Sequence, residues 1–168
     1  MRESGILMPV SSLPGPYGIG CFGKEAFKFV DFLAQAGQKI WQILPLTPPL
    51  MGDSPYLSES AFAGNEALIS LEVLRDWGWL RQEALDDFLA QGQKTTSWHS
   101  LAAYKAKILW DMSHDPDLTI PWEPFRAFCE KNAHWLDDYA LFRAVRDFFG
   151  GRCWTEWPED IRHHSREA

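Results

Sequence analysis

Apolar residues recur with a helical period along most of this chain, and only two short apolar runs have the character of strands. Residues 5–10 (GILMPV) form the first run, and residues 38–46 (QKIWQILPL) form the second, which is rich in β-branched and aromatic side chains. Between them, residues 24–36 place apolar side chains on one helical face, and Gly37 follows. This order predicts a βαβ unit with parallel strands and a right-handed crossover.

The rest of the chain is predicted to be mainly helical. Helical periodicity covers five further segments, which are residues 70–80, 81–92, 100–112, 121–132 and 135–151. The last segment has apolar side chains on two sides and ends at two glycines, so we expect a helix buried between neighbours. Two parallel strands do not make a stable sheet alone. We therefore expect the start of a larger α/β domain or, alternatively, a βα unit capped by its own helices; the polar end of the chain favours the first.

Long connections follow both predicted strands, and we call residues 11–23 the first loop and residues 47–65 the second loop. In a βαβ unit both loops emerge at the carboxyl ends of the strands, which is the edge where α/β proteins carry their active sites. A loop as long as the second is uncommon in a compact domain unless it is functional. We expect the two loops to lie side by side on a common rim.

The second loop offers Asp53, Ser54 and Tyr56, which supply an acceptor, a hydroxyl and a ring with a polar tip. No Lys or Arg lies between Lys39 and Arg75. This set suits a neutral polyhydroxyl ligand better than an anion. The alternative is that Asp53 and Ser54 only form a turn before the following proline.

The first loop contains a literal G-x-G-x-x-G at Gly18, Gly20 and Gly23. In a dinucleotide-binding fold the first glycine follows the strand almost directly, and an acidic residue ends the second strand. Here seven residues, including two prolines, separate the strand from Gly18, and the second strand ends without an acid. We therefore expect no nucleotide cofactor, and we expect the glycines to shape the loop.

Charge and composition narrow the classes of function further. A net charge of −7 argues against nucleic acid as a partner. No apolar run approaches the ~20 residues that cross a bilayer, and the N-terminus lacks the apolar core of a signal peptide, so we expect no membrane partner. The three cysteines are widely spaced and predict reduced thiols in a cytoplasmic protein without a metal site. The nine tryptophans favour core positions, with sugar-stacking platforms as the alternative.

Four stretches resemble a known family. They are GILMPVSSLPGPYGIGCFGKEAFKFVDFLAQAGQKIWQILPL at residues 5–46, GDSPYLSESAFAGN at 52–65, FCEKNAHWLDDYALFRAVRDFFGG at 128–151 and WTEWPEDIR at 154–162. Together they are similar to the amino-terminal part of the 4-α-glucanotransferases, the amylomaltases of glycoside hydrolase family 77. The similarity covers nearly the whole chain, apart from a variable middle near residues 80–123.

This resemblance implies a fold, an activity and a domain organisation. The fold is a (β/α)8 TIM barrel, of which residues 1–65 are the first βαβ unit, residues 66–152 a mainly helical insertion subdomain, and residues 153–168 a return toward the barrel. The activity is retaining transfer of α-1,4-glucan segments between maltooligosaccharides through a covalent glycosyl-enzyme, without cofactor or metal. The family's catalytic carboxylates lie on later strands, so no catalytic residue is assigned here and the chain alone is expected to be inactive.

The resemblance also implies which residues contact substrate. Ser54 and Tyr56 match donor-glucan contacts, with Asp53 supporting the loop; Tyr17 is a further candidate, and Asn65 ties down the loop's exit.

The sequence departs from the family pattern at three positions of the second loop. Met51 and Leu57 stand where the family has Tyr and Gln, and Glu59 stands where an aromatic is common. These changes remove stacking surface and hydrogen-bonding capacity, so the details of donor binding are expected to differ. Two other functions stay open, a standalone glucan-binding module and a structural or regulatory helical domain. An unpaired barrel edge could also support self-association.

Overall fold

The computed structural model describes residues 2–50, 54–92, 94 and 97–163. The chain divides into two compact units, Met1–Ile120 and Pro121–Ala168. The domain boundaries predicted from the sequence stay predictions.

The first unit begins with the predicted βαβ arrangement. Strand β1 is Gly5–Leu7, helix α1 is Lys24–Gln35 and strand β2 is Ile40–Gln42. The strands pair in parallel, with Ile6 opposite Trp41, so the prediction of a parallel pair is confirmed. Both strands are shorter than predicted. Beyond β1, Pro9 has no amide hydrogen for a ladder bond, and a 3₁₀ turn begins at the next residue.

Three helices complete the first unit, in the places that the periodicity predicts. They are α2 at Leu71–Asp76, α3 at Gln82–Gly92 and α4 at Trp98–Ser113. The hydroxyl of Ser70 accepts the amide of Val73 at 3.4 Å and so caps α2. Ser97 caps α4 in the same way. These serines satisfy amide groups that have no partner within the helix.

Two clusters of buried side chains hold the first unit together. One lies beneath α1 and the strands and consists of Val10, Leu13, Ala26 and Leu68. The other lies among the helices and consists of Tyr17, Leu71, Leu74, Leu80, Leu85, Phe88 and Ile108. Each cluster contains side chains of the first loop, which is therefore built into the interior at several points.

The second unit contains α5 at Trp122–Asn132, α6 at Leu136–Phe148 and α7 at Glu159–Arg162. Trp157 is the one buried hydrophobic residue among its described residues. The expectation that α6 is buried between neighbours is wrong, since none of its residues is buried and Phe148 is 83% exposed. One apolar side of α6 is mostly exposed, with Leu141, Ala144 and Phe148 uncovered, whereas Phe142 on the other side is half-buried against Trp157.

Apolar side chains of the two strands are also exposed. Ile6 and Leu7 of β1, and Ile40 and Ile43 in or next to β2, all show a large part of their surface. Two strands that form only a pair leave part of their apolar surface uncovered. The expectation of self-association through this edge stays a prediction.

The tryptophans contribute less to the interior than the sequence suggests. Of the nine, only Trp157 is buried, and four are exposed, namely Trp77, Trp110, Trp122 and Trp154. The expectation of a core role is therefore wrong for those four. Indole is large enough to cover apolar surface at the rim of a helix pair without being enclosed.

The glycine motif of the first loop has a local structural reason. Gly18 has a φ of +68°, a backbone conformation that residues with a side chain rarely adopt. A Cβ on Gly20 would lie 2.1 Å from the carbonyl oxygen of Val10. The prediction that these glycines shape the loop is confirmed, because the chain itself fills the space beside them.

The close approach at Gly20 predicts a large effect of a single methyl group. Gly20→Ala should lower the free energy of unfolding by about 1–3 kcal/mol, because backbone must move to admit the Cβ. Gly15→Ala in the same loop is the matched control, since a Cβ there meets nothing within 4 Å, and it should change stability by less than about 0.5 kcal/mol. Urea unfolding measures both, and equal effects would contradict the assignment.

Candidate functional site

A groove of about 280 Å³ lies where the chain leaves the two strands. Its lining residues come from both loops, from the residues between each strand and its loop, from Leu68 and from α4. They are Pro9, Val10, Ser11, Ser12, Leu44, Pro45, Leu46, Thr47, Pro49, Pro55, Asn65, Leu68 and Trp98. We call this the strand-end groove. The prediction that the first and second loops meet on one rim is confirmed, because residues of both line the same groove.

The described residues that line the strand-end groove are uncharged. None of the residues just named is charged, and the polar groups are the hydroxyls of Ser11, Ser12 and Thr47 and the amide of Asn65. Prolines, leucines and the indole of Trp98 supply the rest of the surface. Such a lining suits a ligand with apolar faces and hydroxyl groups, and it offers no charge to hold an anion.

The second loop is folded back on itself beside the groove. Pro49 and Ser58 form an antiparallel bridge, and the hydroxyl of Ser58 lies 2.7 Å from the carbonyl oxygen of Pro48, to which it donates. Nearer the tip, the amide of Leu57 donates to the carbonyl of Ser54 at 3.1 Å. These bonds give the described part of the loop a short stem and a turn at residues 54–57.

The predicted substrate contacts of the second loop lie at the edge of the groove. Pro55 lines it, whereas its neighbours Ser54 and Tyr56 do not. The ring of Tyr56 is 75% exposed, so it is free to meet a ligand that extends beyond the groove. Asp53, also predicted to contribute, lies outside the described residues, as does Met51.

Tyr17, the candidate from the first loop, lies in the interior. It is 8% exposed, and its ring stacks on Phe88 with centroids 5.7 Å apart. Burial raises the pKa of its hydroxyl above the usual value, and a hydrogen bond with Glu72 adds to this shift. Tyr17 therefore anchors the first loop to α2 and α3, and it does not line the strand-end groove.

The exit of the second loop is held by Asn65. Its backbone N–H donates to the carbonyl of Leu46 at 2.8 Å, and its side-chain oxygen accepts a hydrogen bond from the backbone N–H of Ala67 at 3.0 Å. The second bond caps a 3₁₀ turn, Glu66–Leu68, which we call the junction turn. The structural role predicted for Asn65 is thus confirmed.

Trp98 is a groove residue that the sequence analysis missed, as it missed Ser11, Ser12 and Thr47. It is half-buried at the first turn of α4, far along the chain from both loops. The only local signal is the capping Ser97, which marks a helix start and not a ligand contact. Trp98 lies in the variable middle of the chain, where no motif in the sequence links it to the strand ends.

Comparison with known proteins identifies the family. The family model described as 4-alpha-glucanotransferase matches residues 8–168. This chain belongs to the 4-alpha-glucanotransferase family. The 4-alpha-glucanotransferase of Thermus thermophilus is 43% identical over 170 residues, covering 99% of this chain and 33% of the relative.

Solved structures agree in fold. The amylomaltase from Streptococcus agalactiae in complex with acarbose is similar at a TM-score of 0.82 and 34% identity, over 99% of this chain and 34% of that one. The amylomaltase from Corynebacterium glutamicum, at a TM-score of 0.72, 20% identity and coverage of 96% and 25%, shows the same fold. This family member thus spans about a third of the length of the first two of these relatives and a quarter of the third.

One buried charge lies behind the groove in this glucanotransferase family member. Lys105 of α4 is 2% exposed, and its ammonium donates to the carbonyl oxygen of Ala67 at 2.6 Å. The ring of Phe88 lies 6.0 Å from the same nitrogen. Burial lowers the pKa of Lys105 to about 8, and Cys21 nearby opposes that shift. Desolvation disfavours the charged amine, and one carbonyl compensates for it only in part.

Other kinds of site find little support in the described part of the chain. Its His, Cys, Asp and Glu side chains form no group of three or more that could hold a metal ion. None of the described helices is long and apolar enough to pass through a bilayer. Cys21, Cys129 and Cys153 are free thiols.

The lowered pKa of Lys105 predicts that the stability of the fold depends on pH. Its pKa is about 8 in the folded chain and 10.5 in the unfolded one, so the unfolded state binds more protons between these values. The free energy of unfolding should therefore rise by about 2 kcal/mol from about pH 7.5 to about pH 9.5.

Urea unfolding at several pH values tests this rise. Lys105→Met should remove it, whereas Lys107→Met, at an exposed ion-paired lysine of the same helix, should keep it. The same slope in wild type and Lys105→Met would show that another group titrates.

Proposed function

We propose that this chain is the amino-terminal portion of a 4-α-glucanotransferase that transfers α-1,4-glucan segments between maltooligosaccharides. The family match over residues 8–168 carries this proposal. The transfer retains stereochemistry through a covalent glycosyl-enzyme, which needs two carboxyl groups about 5 Å apart. The family's catalytic carboxylates match no motif in this chain, so its contribution is substrate binding.

We further propose that β1, α1 and β2 form the first βαβ unit of a (β/α)8 barrel. Parallel pairing, a helix between the strands and a groove at the carboxyl ends of the strands are the arrangement expected for such a unit. Further strands of the barrel would pack beside Leu7 and Ile40, whose apolar side chains are exposed. The helices that follow act as an insertion.

The strand-end groove is proposed to bind an α-glucan chain. Its hydroxyl and amide groups can exchange hydrogen bonds with sugar hydroxyls, and the indole of Trp98 offers a face on which the C–H groups of a pyranose ring can lie. The related amylomaltase from Streptococcus agalactiae has been solved in complex with acarbose. An uncharged groove fits a neutral sugar without any cost of desolvating a charge.

The loop residues take different parts in this proposal. Tyr56 meets the glucan beside the groove with its exposed ring, and Ser54 supplies a hydroxyl at the turn. Tyr17 supports the first loop from the interior. Asp53 keeps its proposed role of supporting the second loop.

A standalone glucan-binding module is the second candidate. The observation that favours it is the uncharged groove at the strand ends, because binding of a maltooligosaccharide there needs no catalytic carboxylate. Such a module would bind maltooligosaccharides without changing them.

Binding can be tested by titrating the chain with maltoheptaose in a calorimeter. Tyr56→Ala and Trp98→Ala should each weaken binding by about tenfold, the cost of about 1.4 kcal/mol expected when an aromatic contact is truncated. Trp110→Ala is the matched control, because Trp110 is an exposed indole on α4 that does not line the groove. Equal affinities for all four proteins would argue against a glucan site at this groove.

Catalysis is tested separately. The purified chain should release no glucose from maltotriose and build no longer chains, because it carries none of the catalytic motifs. Chromatography of the sugars after prolonged incubation is the measurement. Turnover that co-purifies with the chain would contradict this expectation.

A further inference from the structure

The junction turn, Glu66–Leu68, is where several parts of the first unit meet. In the segment that follows β2, the carbonyl of Leu46 accepts a hydrogen bond from the backbone N–H of Asn65 at 2.8 Å. From the first loop, the amide of Phe22 donates to the carbonyl of Leu68 at 2.9 Å. Asn65, Leu46 and Leu68 all line the strand-end groove. The position of this turn therefore determines where the groove residues Leu46, Asn65 and Leu68 lie.

Helix α4 reaches the junction turn through one side chain. The ammonium of Lys105 donates to Ala67, at the centre of the turn, at 2.6 Å. Trp98 precedes Lys105 by seven residues, which is about two helical turns, so both lie on the same face of α4. One face of α4 thus provides both the indole of Trp98, which lines the groove, and the bond from Lys105 to the junction turn.

The chemistry of Lys105 is costly for a residue with only a packing role. A methionine of similar length would fill the same space without the cost of burying an amine. The ammonium is enclosed by Cys21 from the first loop, Phe88 from α3 and the junction turn, and Cys21 is the titratable group that acts on it. Within the described part of the chain, its short polar contact is the carbonyl of Ala67, at 2.6 Å.

We propose that Lys105 is a positioning residue whose bond to the Ala67 carbonyl holds the junction turn, and through it both loops, in the arrangement that forms the strand-end groove. The effect on glucan affinity rests on the proposed function, whereas the effect on the junction turn does not.

Amide hydrogen exchange measured by NMR tests the structural part. In Lys105→Met, the amides of Phe22, Asn65 and Leu68 should exchange about tenfold faster than in wild type, beyond any change in global stability. Amides in the middle of α3 and α4 should change only as global stability does. Lys107→Met is the control and should leave all of these rates unchanged. Equal acceleration throughout the first unit, or none at the three amides, would overturn the proposal.

A second variant guards against failure to fold. Lys105→Gln keeps hydrogen-bond donors on a shorter side chain, and it should also accelerate exchange at Phe22, Asn65 and Leu68 selectively. Wild-type protection at the junction turn in a folded Lys105→Gln protein would overturn the proposal, because the shorter side chain loses the 2.6 Å contact.

Glucan affinity tests the functional part. Calorimetry with maltoheptaose should show binding about tenfold weaker for Lys105→Met than for wild type, although Trp98 and Tyr56 are intact. Unchanged affinity in a variant with a loosened junction turn would overturn the functional role. If wild type itself does not bind maltoheptaose, the proposed function fails, and the exchange experiment still decides whether Lys105 positions the turn.

Discussion

Parallel pairing of β1 with β2 is the constraint on which the arrangement of the first unit depends. Because the strands run in the same direction, the segments that follow them leave at the same edge of the pair. The first and second loops therefore meet, although α1 and both strands separate them in sequence. The strand-end groove exists because of this pairing, and Leu44–Pro45 on one side and Pro9–Val10 on the other form its base.

Hydrogen bonds to backbone groups connect the described segments that line the groove. The ion pair of Lys107 with Asp111 lies on an exposed surface of α4, where such a pair contributes little to stability. At the groove, Asn65 and Ser58 bond to backbone groups across the second loop. The buried Lys105 belongs to the same scheme, since its partner is a carbonyl.

The two units differ in how well they enclose their apolar surface. The first has two clusters of buried side chains, whereas the described part of the second has Trp157 with Phe142 and Phe149 beside it. Exposed side chains such as Phe148 and Leu7 form surfaces that favour contact with further protein. The proposed barrel would cover the strands, which agrees with a chain that spans a third of its relatives' length.

Periodicity and glycine placement in the sequence determined the elements, because strand and helix patterns depend on neighbouring residues. The βαβ unit, the helices, the loop-shaping role of Gly20 and the exit role of Asn65 were all visible there, as were the family motifs. Only the tertiary structure decided that Trp98 lines the groove, that Tyr17 is buried, that α6 is exposed and that Lys105 bonds to Ala67. A helical pattern shows which residues share a face, but which faces meet depends on contacts between segments distant in the chain.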